Sequence, residues 1–382
     1  MAPRVYSYGS HSDLSCPGRQ GGFSLIELMI AVVVGSALIA IVVRMVAGTL
    51  ATYRSDEYLA RLQENARFAT EQLGFAGRMA GFTGCSRNIN SLLDTTAAAY
   101  EPGIYDVTRI FSGWEYDNTG DGDAYAIATL DPSGAGLDEW SDADGNDLVD
   151  DLQNLVIPGT DVLVVKYADR VLEVGAGGNT AANAVTIGLT GNNGIDQDAL
   201  VLISDCVGSD LFQNRAADDA TQLSRNDGGG SPGNVAPASA NLSHAYGTDM
   251  EIYTFTVAVF FVGRGPSGEP ALFRRTHHAA GADGVETLEL VEGVENMQVL
   301  YGEDLDGDRL ADVYRTSVAV GNWTDVVAAR VSLLLRTVES GRQENDTAIY
   351  NVLGTNVTPP AVDARRHRRV FTTTIALRNR VG

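Results

Sequence analysis

The chain has 382 residues, 44% of them hydrophobic, enough for a folded core and two subdomains at most. Lys and Arg total 27 against 49 Asp and Glu, a formal net charge of −22. Nucleic acid or an anionic lipid surface needs a cationic face, so neither is expected as the main partner.

Residues 1–22 read as a polar leader, with Arg4 and Arg19 against Asp13. An apolar run follows from Phe23 to Val43, closed by Arg44 and interrupted by one charge, Glu27. At about 1.5 Å per residue a helix of that length crosses a bilayer. The positive leader belongs on the cytoplasmic side, so everything after Arg44 is expected outside the cytoplasm. A cleaved secretory signal fits poorly, because no A-x-A-like site follows the run and the run exceeds an ordinary h-region. A plain signal anchor leaves Glu27 unexplained. An acid at that depth costs on the order of 2.5–3.5 kcal/mol and persists where a partner neutralises it. A cut between Gly22 and Phe23 would create an α-amino group four residues from Glu27, about one helical turn away. Between staggered copies the two charges would meet across an interface, and Glu27 would set the register of assembly.

The helix is expected to continue past the membrane. Leu59, Leu62, Ala66, Ala69, Leu73, Ala76 and Ala80 form a heptad seam of mostly small residues. Phe68, Phe75 and Phe82 form a second stripe, also seven apart. One stripe suits the chain's own globular domain and the other suits neighbours; a simple coiled-coil dimer would use only one. Gly81 or Gly84 is expected to end the helix, which divides into a membrane half, 23–44, and an amphipathic half, 45–82.

Residues 83–382 read as a β-rich head. Apolar, β-branched or aromatic runs at Asp161–Tyr167, Ala199–Ser204, Glu251–Val262, Thr287–Val291, Met297–Tyr301, Val326–Arg336 and Arg369–Leu377 predict strands. No helical pattern alternates with them, so an antiparallel sheet is expected. Residues 214–248 are rich in Gly, Ser, Asn, Ala and Asp and read as an exposed, partly mobile loop. Cys16 lies in the leader. Cys85 and Cys206 then remain as a pair on the oxidising side, either two buried thiols or a disulfide from the helix end to a mid-sheet strand. There is no CxxC pattern for a redox or zinc site.

Two acidic segments, DADGNDLVD at Asp142–Asp150 and DLDGDRLAD at Asp304–Asp312, share the pattern D-x-D-G-[D/N]-x-L-x-D. Calcium takes six to eight oxygen ligands on a tightly curved chain. The spacing offers it Asp304, Asp306, Asp308 and Asp312 in one loop, and Asp142, Asp144, Asn146 and Asp150 in the other. Position 6 is Asp147 or Arg309 where an EF-hand has Gly, and no Glu stands at position 12; Asp-Gly clusters also make ordinary turns. Calcium is a candidate ligand, and no cofactor is required. Asp117–Asp123 reads as a turn. No G-x-S-x-G, Walker, H-E-x-x-H or Rossmann pattern occurs. His277 and His278 read as a solvated strand end, Arg365–Arg369 as a source of ion pairs within or between subunits, and Trp114, Trp140 and Trp323 as core or loop anchors.

The stretch GGFSLIELMIAVVVG resembles the class III signal of type IV prepilins. RLQENARFATEQLGFAGRMAGFTGC, ISDCVGSDLF and RRVFTTTIALRNR resemble minor pilins of the PilW family. The leader is long for that family. The resemblance implies that Gly22 ends the leader, that Phe23 is the N-methylated first mature residue and that Glu27 is the assembly glutamate. It implies an α+β, type IV pilin-like fold, with a long N-terminal α-helix packed on a large antiparallel β-sheet domain. The implied role is a non-enzymatic minor pilin that primes a type IV pilus and enters it near the tip, serving pilus biogenesis, twitching motility and adhesion. Implied partners are other minor pilins, the major pilin, prepilin peptidase, the inner-membrane assembly platform and a tip adhesin, with no direct nucleic-acid binding. The implied location is the inner membrane, single-pass with a periplasmic C-terminus, and then the cell-surface pilus. A J-type pseudopilin of type II secretion, and a membrane-anchored binding module or hydrolase that does not polymerise, are the alternative readings.

Overall fold

A computed structural model of the chain describes residues 22, 24–171, 174–227, 232–277 and 285–381. It divides into two compact units, Met1–Arg54 and Ser55–Gly382. Helix α1, Leu25–Met79, begins in the first and ends in the second. In the first unit its apolar side chains are exposed, and the helix is long and apolar enough to cross a membrane. In the second unit Leu62, Ala66, Ala69, Leu73 and Ala76 of the predicted seam are buried, as is Ala80 just past the helix.

Small residues on that seam allow a close approach to the sheet. A Cβ on Gly77 would stand 2.3 Å from Cγ2 of Ile375. The helix stops at Met79, earlier than the expected boundary at residue 82. Gly81 takes a left-handed backbone, φ +73°, and donates its N–H to the Lys166 carbonyl at 2.9 Å. The last carbonyls do not go unpaired: Nδ2 of Asn379 donates to those of Arg78, Met79 and Ala80.

The strands, in chain order, are β1 Ile89–Ser91, β2 Phe111–Tyr116, β3 Ala124–Ala126, β4 Trp140–Ser141, β5 Val162–Arg170 and β6 Thr186–Gly188. Then come β7 Leu200–Ser204, β8 Ser209–Gln213, β9 Gln222–Ser224, β10 Glu251–Arg264, β11 Pro270–His277 and β12 Val285–Glu292. The last six are β13 Val294–Glu303, β14 Val313–Arg315, β15 Val326–Arg336, β16 Tyr350–Val352, β17 Thr355–Thr358 and β18 Arg368–Ala376. Among the described residues, β1-β8-β7-β10-β5-β2-β4 form the main sheet, continued from β10 through β11 to β12. A second sheet runs β14-β13-β15-β18. The architecture is a long apolar helix packed on a large sheet domain, an α+β, pilin-like fold. The sheets are mixed and not wholly antiparallel, because β1 runs parallel to β8 and β17 parallel to β3.

The central strand β10 pairs with β5, β7 and β11, and nearly every residue in it is buried. Its run of Val, Ala and Phe suits a strand covered on both faces. One face of the main sheet shares a core with α1 and the second sheet, including Leu163, Val165, Phe260, Met297, Val331 and Ile375. The opposite face packs Trp114, Trp140, Leu202 and Phe261. The tryptophans are therefore core residues, and Trp140 Nε1 donates to the Thr160 carbonyl at 2.7 Å.

Within residues 214–248, those the structure describes, 214–227 and 232–248, depart from the expected exposed loop. They carry β9 and send Leu223, Leu242 and Tyr246 into a third core with Ile187 and Phe212. Their polar residues satisfy backbone instead of water. Asn214 Oδ1 accepts from the N–H of Ala216 and Ser224, and buried Arg225 donates to the carbonyls of Ala184 and Ala240. Over the described residues, a composition typical of loops thus builds an internally bonded subdomain.

Candidate functional site

At the N-terminus, Gly22 is exposed, whereas Phe23 and the leader, with Cys16, lie outside the described residues. The Glu27 carboxylate accepts the Ser24 N–H at 3.2 Å, and Glu27 donates its own N–H to Ser24 Oγ at 3.2 Å. That reciprocal pair is a capping box, S-x-x-E, which the sequence analysis did not identify. Glu27 therefore starts α1 as well as marking it. The predicted second stripe is divided: Phe68 and Phe75 are exposed on α1, while Phe82, beyond the helix, packs edge-on to Tyr253.

Cys85 and Cys206 form a disulfide, with Cα atoms 4.8 Å apart and a separation of 121 positions in sequence. It ties the segment after α1 to the β7–β8 hairpin. The hairpin has a second clasp. His244 Nε2 lies 2.8 Å from Asp205 Oδ2, and Ser243 Oγ lies 3.0 Å from His244 Nδ1. Ser243 is not poised for attack, because its N–H and hydroxyl both bond the buried Asp210 carboxylate, which also accepts from Tyr246. This row of Ser, His and Asp closes a turn.

The two acidic loops differ. Asp304, Asp306 and Asp312 place carboxylate oxygens within 4.8 Å of one another. Asp308 is outside that group and accepts the Leu310 N–H. Desolvation pushes the Asp304 carboxyl up, but the N–H groups of Arg309, Gly307, Asp306 and Asp308 outweigh it and hold the group below its usual range. The loop thus gathers three carboxylates, fewer than the six to eight oxygen ligands calcium takes, with backbone bonds fixing their orientation. In the other loop the cation comes from the chain itself. Arg109 pairs with Asp142 at 2.7 Å and with Asp144, while Asn146 bonds Asp142. Asp150 belongs to a separate short turn of helix, Asp150–Leu152. Nothing in the local sequence pointed to Arg109, 33 positions before its partner. In Asp117–Asp123, Gly120 donates to the Asp123 carboxylate across a tight turn.

Of the basic cluster, Arg366 and Arg368 pair within the chain, while Arg365 and Arg369 are exposed. Arg368 makes a two-pronged pair with Glu295 at 2.6 and 2.9 Å, both side chains fully buried. Arg336 bridges Glu295 and Glu269, and Arg366 also pairs with Glu269. His277 is buried beside Asp151 and not solvated, while His278 lies outside the described residues.

Compared with protein families, residues 17–43 match the prokaryotic N-terminal methylation motif, and residues 259–379 match type IV pilus-assembly protein W. The two matches support a PilW-type pilin. No curated protein and no solved structure matches it. The methylation motif covers Gly22, Phe23 and Glu27. The PilW match covers the end of β10, strands β11–β18 and the buried Arg368–Glu295 pair. The family thus supplies a type IV pilus-related pilin with an apolar N-terminal helix suited to membrane anchoring. Its head also contains an unmatched region, including the third core and the disulfide.

Proposed function

We propose that this pilin is a minor subunit that primes assembly of a type IV pilus and enters it near the tip. The supporting observation is the order of parts: a methylation motif, an apolar helix with its acid in the first turn, and a head far larger than that helix. On this reading prepilin peptidase cuts between Gly22 and Phe23, and the new amine meets Glu27 of a neighbour. The precursor sits in the inner membrane with its head in the periplasm, handled by the assembly platform. Other minor pilins, the major pilin and a tip adhesin are its partners, and twitching motility and adhesion are the outcomes it serves. Glu27→Ala should leave membrane insertion and cleavage intact and abolish recovery in sheared pili, read by mass spectrometry of the pili and of the first residue. Normal incorporation of the variant would refute the assembly role, as would a native protein beginning upstream of Phe23.

Calcium at Asp304, Asp306 and Asp312 is part of the same reading. Chelation of the full-length protein in detergent should lower its melting temperature, with Asp306→Ala removing the difference. Equal melting with and without EDTA retires the site.

A further inference from the structure

Strand β18 ends the second sheet, and its ladder to β15 runs from Arg368 to Ala376 without a shift of register. Bonds just beyond each end fix which residues face the partner. Leu377 donates its N–H to the Val327 carbonyl, and Thr337 donates to that of His367, each at 2.9 Å. Antiparallel pairing alternates, so Phe371, Thr373 and Ile375 exchange bonds with β15, while Thr372, Thr374 and Ala376 turn their N–H and C=O groups away from it. Val370, before them, packs with Val352 and Val357 of β16 and β17. Thr372, Thr374 and Ala376 are exposed, and among the described residues no further strand bonds their backbone groups. Open edges are usually blunted by a charge, a proline or a bulge. The run VFTTTIA, Val370–Ala376, has none of these and is rich in β-branched residues.

The flanking charges select the occupant. Residues 364–382 contain six arginines and no Asp or Glu, in a chain of net charge −22. Arg366 and Arg368 are taken up by Glu269 and Glu295. Arg369, just before the open run, and Arg378, just after it, are both exposed, and no carboxylate pairs with either among the described residues. The edge therefore reads cation, neutral stretch, cation. An extended segment adds to such an edge through its main chain, and charge decides which segment is admitted. Because cations stand at both ends, a segment with acids at both ends matches whether it lies parallel or antiparallel. We propose that β18 accepts an added strand from another protein chain, an extended segment that is uncharged in its middle and carries Asp or Glu at its two ends. The proposal does not depend on filament assembly, and its test is made in the isolated protein.

Full-length protein in a zwitterionic detergent is titrated into a fluorescent peptide that alternates Val and Thr and ends in paired Asp and paired Glu. A lysine-ended peptide, and the acid-ended peptide with its central amides N-methylated, serve as contrasting probes. The acid-ended peptide should bind, read by fluorescence anisotropy, and the other two should bind about tenfold more weakly or not at all. Thr374→Pro removes an outward N–H and no bond to β15, so this variant should keep its melting temperature and lose the peptide. Should it melt early, the N-methylated peptide decides the same point. Arg369→Gln combined with Arg378→Gln should weaken binding about tenfold, the loss of two exposed ion pairs. Failure of the acid-ended peptide to bind overturns the proposal. So does equal binding of either contrasting peptide, or unchanged binding in a folded Thr374→Pro variant. Self-association of the parent protein that Thr374→Pro abolishes would give the edge to a second copy and overturns it as well.

Discussion

Glu115 and Asp161 show how a single pair of side chains can set pH behaviour. Both are almost fully buried, on β2 and at the start of β5. Asp161 accepts the N–H of Tyr116 and of Val299, so it joins the two sheets. Burial, followed by the neighbouring Asp161 charge, pushes Glu115 up from 4.5 to about 10. Burial likewise pushes Asp161 up from 3.8 to about 8, against the two N–H groups. A carboxyl whose folded value is raised favours folding most below its unfolded value, and that contribution falls as pH climbs through the window between the two. Here the windows run from 4.5 to about 10 and from 3.8 to about 8. Glu115 is pushed the higher of the two, so it holds the proton. Glu115→Gln should therefore match the parent near pH 5 and exceed it at pH 9, on the order of 2–3 kcal/mol. Melting curves across that range check this; a variant less stable at pH 9 contradicts it. None of this was legible in the sequence, where WEYD and TDVL lie far apart and nothing marks their meeting.

At the scale of elements, the sequence was most informative where periodicity was strong. The small-residue seam of α1 and the apolar runs of β5, β10, β13 and β15 could be read directly, because burial on a fixed face leaves a pattern. Strands β2, β8 and β11 were missed: FSGWEY, SDLFQ and PALFRRTH mix polar with apolar residues and depend on their neighbours for definition. The helix–sheet contact can be measured at one point. Gly77→Ala should destabilise the head by roughly 1–3 kcal/mol, because the added methyl collides with Ile375. Ile375→Ala removes the colliding atom, so the double variant should be more stable than the sum of the single losses predicts. Additive losses in denaturant titrations would show that α1 sits elsewhere.

Across the whole molecule, what was legible divides by range. The processing motif, the helix and the Asp304 loop are local patterns and could be found as such. The Arg109 pairing, the third core that Leu223, Leu242 and Tyr246 join, and the Arg368–Glu295 pair arise from residues distant in sequence, and composition misled wherever polar side chains served the backbone. The disulfide has the longest reach. Closing a loop of 121 residues should contribute about 4–5 kcal/mol, so reduction should lower stability by about that amount, as a urea titration with and without reductant would show. An unchanged midpoint would mean that the reduced chain already holds the same shape.

That cross-link also fixes how the head bears tension. A pull along α1 first loads the buried seam from Leu62 to Ala76; once that seam peels, it reaches residues 80–85, and Cys85 passes the load to the β7–β8 hairpin at Cys206. The strain is then shared sideways across neighbouring strands in shear, and the head resists being unravelled from its first residue like thread from a spool.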